Sequence, residues 1–199
     1  AFPAERSVVA RRLGGVKSVL KEAVRSLRTD RPVFPVENPR ANISSNAYFS
    51  FNAALAERGF KVSCAPWDMG PGELGDTGLY RLIRSVGDRL KNADFKELLT
   101  EEFASEIRAL RTGLRSYYLR AGIDAVVVPF DLPIFERLAI KIFKELGRPS
   151  FISLHGLPGR YNNIDDNRTD YLLVWGDRIK ECYVRAGISP GKIFVTGHP

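Results

Sequence analysis

Two apolar runs, GIDAVVVPF at residues 122–130 and DYLLVWG at 170–176, limit what this chain can fold into more than any other feature. A strand with one wet face alternates apolar and polar residues. These runs are apolar at successive positions, as strands buried on both faces of a parallel sheet are. Both belong to a repeating order of short β-rich stretch, longer helical pattern and Gly or Pro stop. The strands read from that order are Val33 to Glu37, Lys61 to Pro66, Asp124 to Phe130, Ser150 to His155, Asp170 to Trp175 and Lys192 to Thr196. In LPIFERLAIKIFKELGRP, Ile134, Leu138, Ile142, Phe143 and Leu146 share one helical face, and Gly147 and Pro149 end the helix. DRIKECYVRAGISPG repeats the design with Gly187 and Pro190, and SSNAYFSFNAALAERGF reads as a capped helix from Ser45 to about Arg58, closed by Gly59. The alternation predicts an α/β fold: a doubly wound, mostly parallel sheet of about six strands, each right-handed crossover laying its helix on one face. From Leu79 to Arg120 the periodicity is helical with no strand, so extra helices precede the third strand. MGPGELGDTG, 69–78, reads as a glycine-rich loop and holds neither a dinucleotide fingerprint nor a P-loop.

Charge placement bears on partners. The chain carries a net charge of +7 over 199 residues, and up to Arg31 eight basic residues face three acidic ones, leaving little net charge for the rest. Within that leader Val9, Leu13, Val16, Leu20, Ala23, Val24 and Leu27 recur at helical spacing, so residues 5–31 form a basic amphipathic helix. Such a helix suits an anionic membrane surface or a partner, and equally suits packing on its own domain with a solvated charged face. The domain reading is therefore 1–31 as a basic leader and 32–199 as a single α/β domain. The leader's only aromatic is Phe2, which serves base stacking poorly, so no nucleic acid is expected. No window approaches the roughly 18 apolar residues of a membrane span. The two cysteines, Cys64 and Cys182, lack ligand company; they are expected as free, mostly buried thiols in a reducing cytoplasm, with no metal and no cofactor.

Ligands of open α/β sheets bind outside the carboxyl ends of the strands. His155 ends the fourth strand and His198 follows the sixth, so both belong to that rim. An imidazole there can act as a general base on a hydroxyl, or simply hydrogen-bond a neighbouring loop. The turn Gly156-Leu157-Pro158-Gly159 lets a substrate approach the backbone, and Arg160 after it can hold a phosphate or carboxylate or serve as an ordinary surface arginine. Asp131 either orients the histidine, accepts a sugar hydroxyl, or caps the helix that follows. Ser45 and Asn46 offer a hydroxyl and an amide to a substrate, or cap the first helix.

From Gly122 to Pro199, 78 of 199 residues, the ordered set IDAVVVPFD, KELGRP, SFISLHGLPGRY and DYLLVWGDRIKECYVRAGISPGKIFVTGHP resembles the second half of the N-terminal Rossmann-like domain of two-domain (GT-B) glycosyltransferases of bacterial surface and capsule polysaccharide synthesis, the first half matching in layout only. The CDP-glycerol glycerophosphotransferase-like enzymes are the nearest in flavour, with a strand ending in His-Gly, a Trp-Gly pair before a helix, and a final Val-Thr-Gly-x-Pro. The resemblance implies an acceptor-binding half, with His155 catalytic and Asp131 assisting. Gly156, Gly159, Arg160, Ser45, Asn46 and His198 would then contact substrate. It implies a nucleotide-activated donor held by a further C-terminal domain, a saccharide or lipid-linked acceptor, and a cytoplasmic enzyme peripheral on the inner membrane face. A sugar-nucleotide 2-epimerase-like domain and a non-catalytic basic binding module are the rival readings.

Overall fold

The computed structural model describes residues 41–47, 49–154 and 169–197, with Phe49 and Ser50 as backbone only. The chain divides into two compact units, one made of Ala1–Ser63 with Asp124–Pro199, the other of Cys64–Ile123.

The first unit is a six-stranded, all-parallel sheet in the order β2-β1-β3-β4-β5-β6. Its strands are β1 (Asn42–Ser45), β2 (Lys61–Ser63), β3 (Ala125–Val128), β4 (Ser150–Ser153), β5 (Tyr171–Val174) and β6 (Ile193–Val195). Its helices are α1 (Phe49–Glu57) and, in chain order after the helices of the second unit, α5 (Ile134–Glu145) and α6 (Asp177–Arg185). This is the doubly wound, Rossmann-like α/β architecture. AVVV and SFIS, the two central strands, are buried at every residue, which explains their lack of alternation. On one sheet face Ile43, Ala125, Val127, Phe151 and Leu173 pack with Phe51 and Leu55 of α1 and with Phe60. That face continues as an aromatic row, Phe151 stacked on Tyr171 at 5.1 Å and Tyr171 tilted against Phe194 at 5.6 Å. Helix α5 lies against β3 and β4, burying Leu138, Ala139, Ile142 and Phe143. At full burial each large side chain is worth about 1.5–3 kcal/mol.

Two aspartates hold the amino edge of this sheet. Asp124 accepts the Asn42 N–H at 3.0 Å while its own N–H reaches the Asn42 carbonyl at 2.7 Å. Two strand pairs further on, Asp170 accepts both the N–H and the hydroxyl of Ser150 at 2.9 Å. Both precede an apolar run in the sequence and lock its register to a neighbour.

Several expectations need correction. The strand expected at 33–37 lies outside the described residues, as do the leader helix at 5–31 and the boundary at residue 31. Ser45 does not head a helix: NISS is strand β1, paired on both sides, and α1 begins at Phe49. Ser-Asn ahead of an apolar helix imitates a cap. What makes NISS a strand is a place between two partners that satisfy its backbone. The second strand stops at Ser63, because Pro66 opens a 3-10 turn, Pro66–Asp68. Neither cysteine is buried: Cys64 lies just past the edge strand, and Cys182 is on the outer side of α6, whose buried residue is Tyr183.

The second unit is helical, as the Leu79 to Arg120 pattern predicts. Its elements are α2 (Pro71–Leu74), α3 (Thr77–Asn92) and α4 (Glu101–Arg120). Much of the expected loop at 69–78 is thus the single turn α2, held by the Gly70 N–H on Glu73 Oε2 at 2.9 Å, and the cap of α3. Helices α3 and α4 run antiparallel: Arg89 pairs with Glu102 and Glu106 at 3.2 Å, and near the opposite end Arg120 meets Asp76 at 2.8 Å. Between them Leu79, Ile83 and Val86 meet Phe103, Leu110, Leu114 and Tyr118. Asp76 Oδ1 caps α3 through the Leu79 N–H at 2.9 Å, and that bond, with Arg120, holds its carboxyl below the ordinary value of 3.8. Tyr117, whose hydroxyl lies 3.5 Å from the Met69 sulfur, is pushed above the ordinary phenol value by burial and then by Cys64.

Candidate functional site

Strand order decides where a ligand can enter. The chain steps from β1 to β2 on one side and returns to β3 on the other, so crossover connections diverge between the carboxyl ends of β1 and β3. At such a switch point a crevice opens and no helix closes it. A buried polar group occurs there too.

Ser45, the last residue of β1, is 2% exposed. Its hydroxyl donates to Asn52 Oδ1 at 2.7 Å and accepts the Ala47 N–H at 3.1 Å, while Asn52 Nδ2 reaches the Ala47 carbonyl at 3.3 Å. Three polar groups thereby close the β1–α1 loop on itself. Ser45 is thus buried, with its hydroxyl engaged within that loop. Asn46 follows; its N–H reaches the Val127 carbonyl at 3.4 Å, across to β3. Its Nδ2 donates to Oε1 of Glu136 at 3.0 Å. Glu136, in the first turn of α5, is 7% exposed, so an acid is enclosed where most carboxylates face water. Because a carboxylate only accepts, the bond sets the Asn46 amide with its nitrogen toward Glu136 and its carbonyl away. That carbonyl, Oδ1, is enclosed and accepts no hydrogen bond among the described residues.

Asp131 lies on the same rim, three residues beyond β3, half-buried between the exposed Phe130 and Leu132. It is not the helix cap: the N-cap position of α5 is Pro133, which has no side chain to offer a hydrogen bond. At β4 the rim reaches Leu154, whose carbonyl accepts Trp175 Nε1 at 2.8 Å and ties the ends of β4 and β5 together. Next along, Gly176 opens α6 with no side-chain cap, and Thr196 at the end of β6 binds the Val174 carbonyl through its N–H at 2.8 Å.

Of the residues picked from the sequence, Ser45, Asn46 and Asp131 fall at one sheet rim, Ser45 bonded within the β1–α1 loop and Asn46 bonded across to α5. His155, Gly156, Gly159, Arg160 and His198 lie outside the described residues. Asn52 and Glu136 were not anticipated. Asn52 left a faint mark, a poor helix former set between Phe51 and the buried Leu55. Glu136 left none, since an acid in a first helical turn is ordinary. Among the described residues no cluster of His, Cys, Asp or Glu could hold a metal ion, and no helix is long and apolar enough to cross a membrane.

Comparison of the chain with protein-family models, with curated proteins and with solved structures finds no match.

Proposed function

We propose that this chain is the acceptor-binding half of a GT-B type glycosyltransferase, or of a glycerophosphotransferase-like enzyme, acting in bacterial cell-surface polysaccharide synthesis. The observation that carries the reading is the buried Asn46–Glu136 pair at the switch point of a doubly wound parallel sheet, the place where such folds receive polar ligands. Glu136 orients the Asn46 amide and leaves its enclosed carbonyl without a donor among the described residues, an unmet acceptor at this rim. Asp131 supplies a second acceptor from the loop after β3. His155, the residue after Leu154 at the carboxyl end of β4, is the general base that removes the acceptor hydroxyl proton, and Gly156, Gly159 and Arg160, which follow it in sequence, contact substrate. A further domain holds the nucleotide-activated donor, and the basic residues of 5–31 bring a cytoplasmic protein to the inner membrane face, where a lipid-linked acceptor resides.

The test uses the complete gene product. His155→Ala is expected to lower turnover about 100-fold or more and to remove the limb of the pH–rate profile on which activity rises with imidazole deprotonation. Unchanged turnover with an unchanged profile rejects the catalytic assignment. A gene that encodes no second α/β domain after Pro199 removes the two-domain reading itself.

A further inference from the structure

Helix α5 also has an exposed polar row, roughly 80–140° round its axis from the buried Glu136. Arg137, Lys141 and Lys144 follow one another at spacings of four and three, so they form one row over about 10 Å of helix. All three are exposed, and they line a concavity of about 500 Å³. Its remaining lining among the described residues is aliphatic: Leu132 and Ile134 at one end, Leu138 and Ile140 along the sides. Among the described residues no carboxylate lines it. Ion pairs among the described residues, Arg89 with Glu102 and Glu106, Arg108 with Glu101, Arg120 with Asp76, use none of these three cations, and none makes another side-chain bond there.

We propose that this concavity is a binding site for an amphiphilic anion, a phosphate or carboxylate head on an aliphatic chain. Three uncompensated cations in one row call for negative charge, and a guanidinium beside two ammonium groups suits phosphate oxygens. The aliphatic walls exclude a bare anion as the best occupant. Leu132, 54% exposed, leaves apolar surface that water covers poorly and an alkyl chain would cover well. The volume falls within the usual range for discrete ligands, about 300–1,000 Å³. The site is separate from the Asn46–Glu136 pair, and its occupancy stands or falls independently of the transferase reading.

Dodecyl phosphate below its aggregation concentration is the probe, titrated into the purified chain and followed by calorimetry and by amide shifts of α5. Binding is expected, weakening as salt screens the head group. Inorganic phosphate and a neutral dodecyl maltoside should each bind at least about 10-fold more weakly. Arg137→Gln, Lys141→Gln and Lys144→Gln together keep helix-forming side chains on an exposed face and should cost about 10-fold or more. Leu132→Ser should weaken the dodecyl compound and leave inorganic phosphate unchanged. Equal binding by the triple variant overturns the proposal. So does inorganic phosphate matching the amphiphile, which makes the site a plain anion patch, or the maltoside matching it, which makes it merely apolar. Sedimentation with anionic vesicles but no binding of monomeric dodecyl phosphate also overturns it, in favour of a membrane-facing surface.

Discussion

Asn46→Asp is the sharpest probe of the buried pair, because it changes one donor atom into an acceptor with almost no change of shape. In the native protein Nδ2 lies 3.0 Å from Glu136 Oε1. Replacing it with an ionised oxygen sets two carboxylates against each other at that distance. With an effective dielectric of about 20, the repulsion is about 5 kcal/mol. Side-chain movement and uptake of a proton by the pair reduce this, so the expected loss at pH 7 is about 3 kcal/mol. Asn46→Ala, which only deprives Glu136 of a donor, should cost about 1–3 kcal/mol at both pH values. The two variants therefore differ chiefly in pH dependence. Like charge raises the pair's affinity for a proton in the folded state, so the folded chain binds more protons than the unfolded chain between about pH 4 and pH 7. Stability of the Asp variant must then fall as pH rises across that window and recover on acidification, when a shared proton restores a hydrogen bond. Urea unfolding at pH 7 and pH 4.5 measures this. The chain has two tryptophans, Trp67 in the helical unit and Trp175, whose Nε1 donates to Leu154, in the sheet unit. A Trp67→Phe background makes the fluorescence report the sheet unit. If the Asp variant loses nothing at pH 7, or loses the same amount at pH 4.5, the account of a buried Asn46–Glu136 bond is wrong.

Further outcomes follow from the rest of the structure. Asp76→Ala should cost about 1 kcal/mol through loss of the α3 cap. Since the folded carboxyl titrates below 3.8, its contribution is present above that value and lost as pH falls through the depressed one, which carboxyl NMR titration and acid unfolding can follow. Gly147→Ala sits at φ +64° after α5 with open space around the new Cβ, so backbone strain alone should lower stability by about 1–2 kcal/mol in thermal unfolding. Leu110→Ala, at a fully buried position of α4, should cost about 2–5 kcal/mol, read by Trp67 fluorescence in a Trp175→Phe background. Both Cys64 and Cys182 should react with Ellman's reagent in the native chain, and a thiol that reacts only after denaturation contradicts its exposure.

Strand β3 was legible because burial on both faces demands apolar residues at successive positions, and AVVV can hardly do anything else; YLLV reads the same way, yet Tyr171 and Leu172 of β5 are only partly buried. Helix α5 was legible for a related reason, its apolar residues recurring at the helical period and Gly147 closing it. The helical insertion could be recognised as a long stretch with periodicity and no strand. Even the rim on which Ser45, Asn46 and Asp131 lie follows from strand polarity, a chain-order property.

Other features depend on what surrounds a residue, and no local pattern carries that. NISS holds one apolar residue and resembles a helix cap, yet it is the strand at the switch point, its backbone satisfied by β2 and β3 and its serine by Asn52. Glu136 is an ordinary first-turn acid in the sequence, and its pairing with the Asn46 amide just after β1 joins residues that no local pattern connects. Cys182 belongs to a residue type usually enclosed, but its position on α6 points it outward. Periodicity records which side of an element is apolar. Which polar groups meet across 90 residues of chain, and whether water reaches them, is settled only when the strands pair in the order β2-β1-β3.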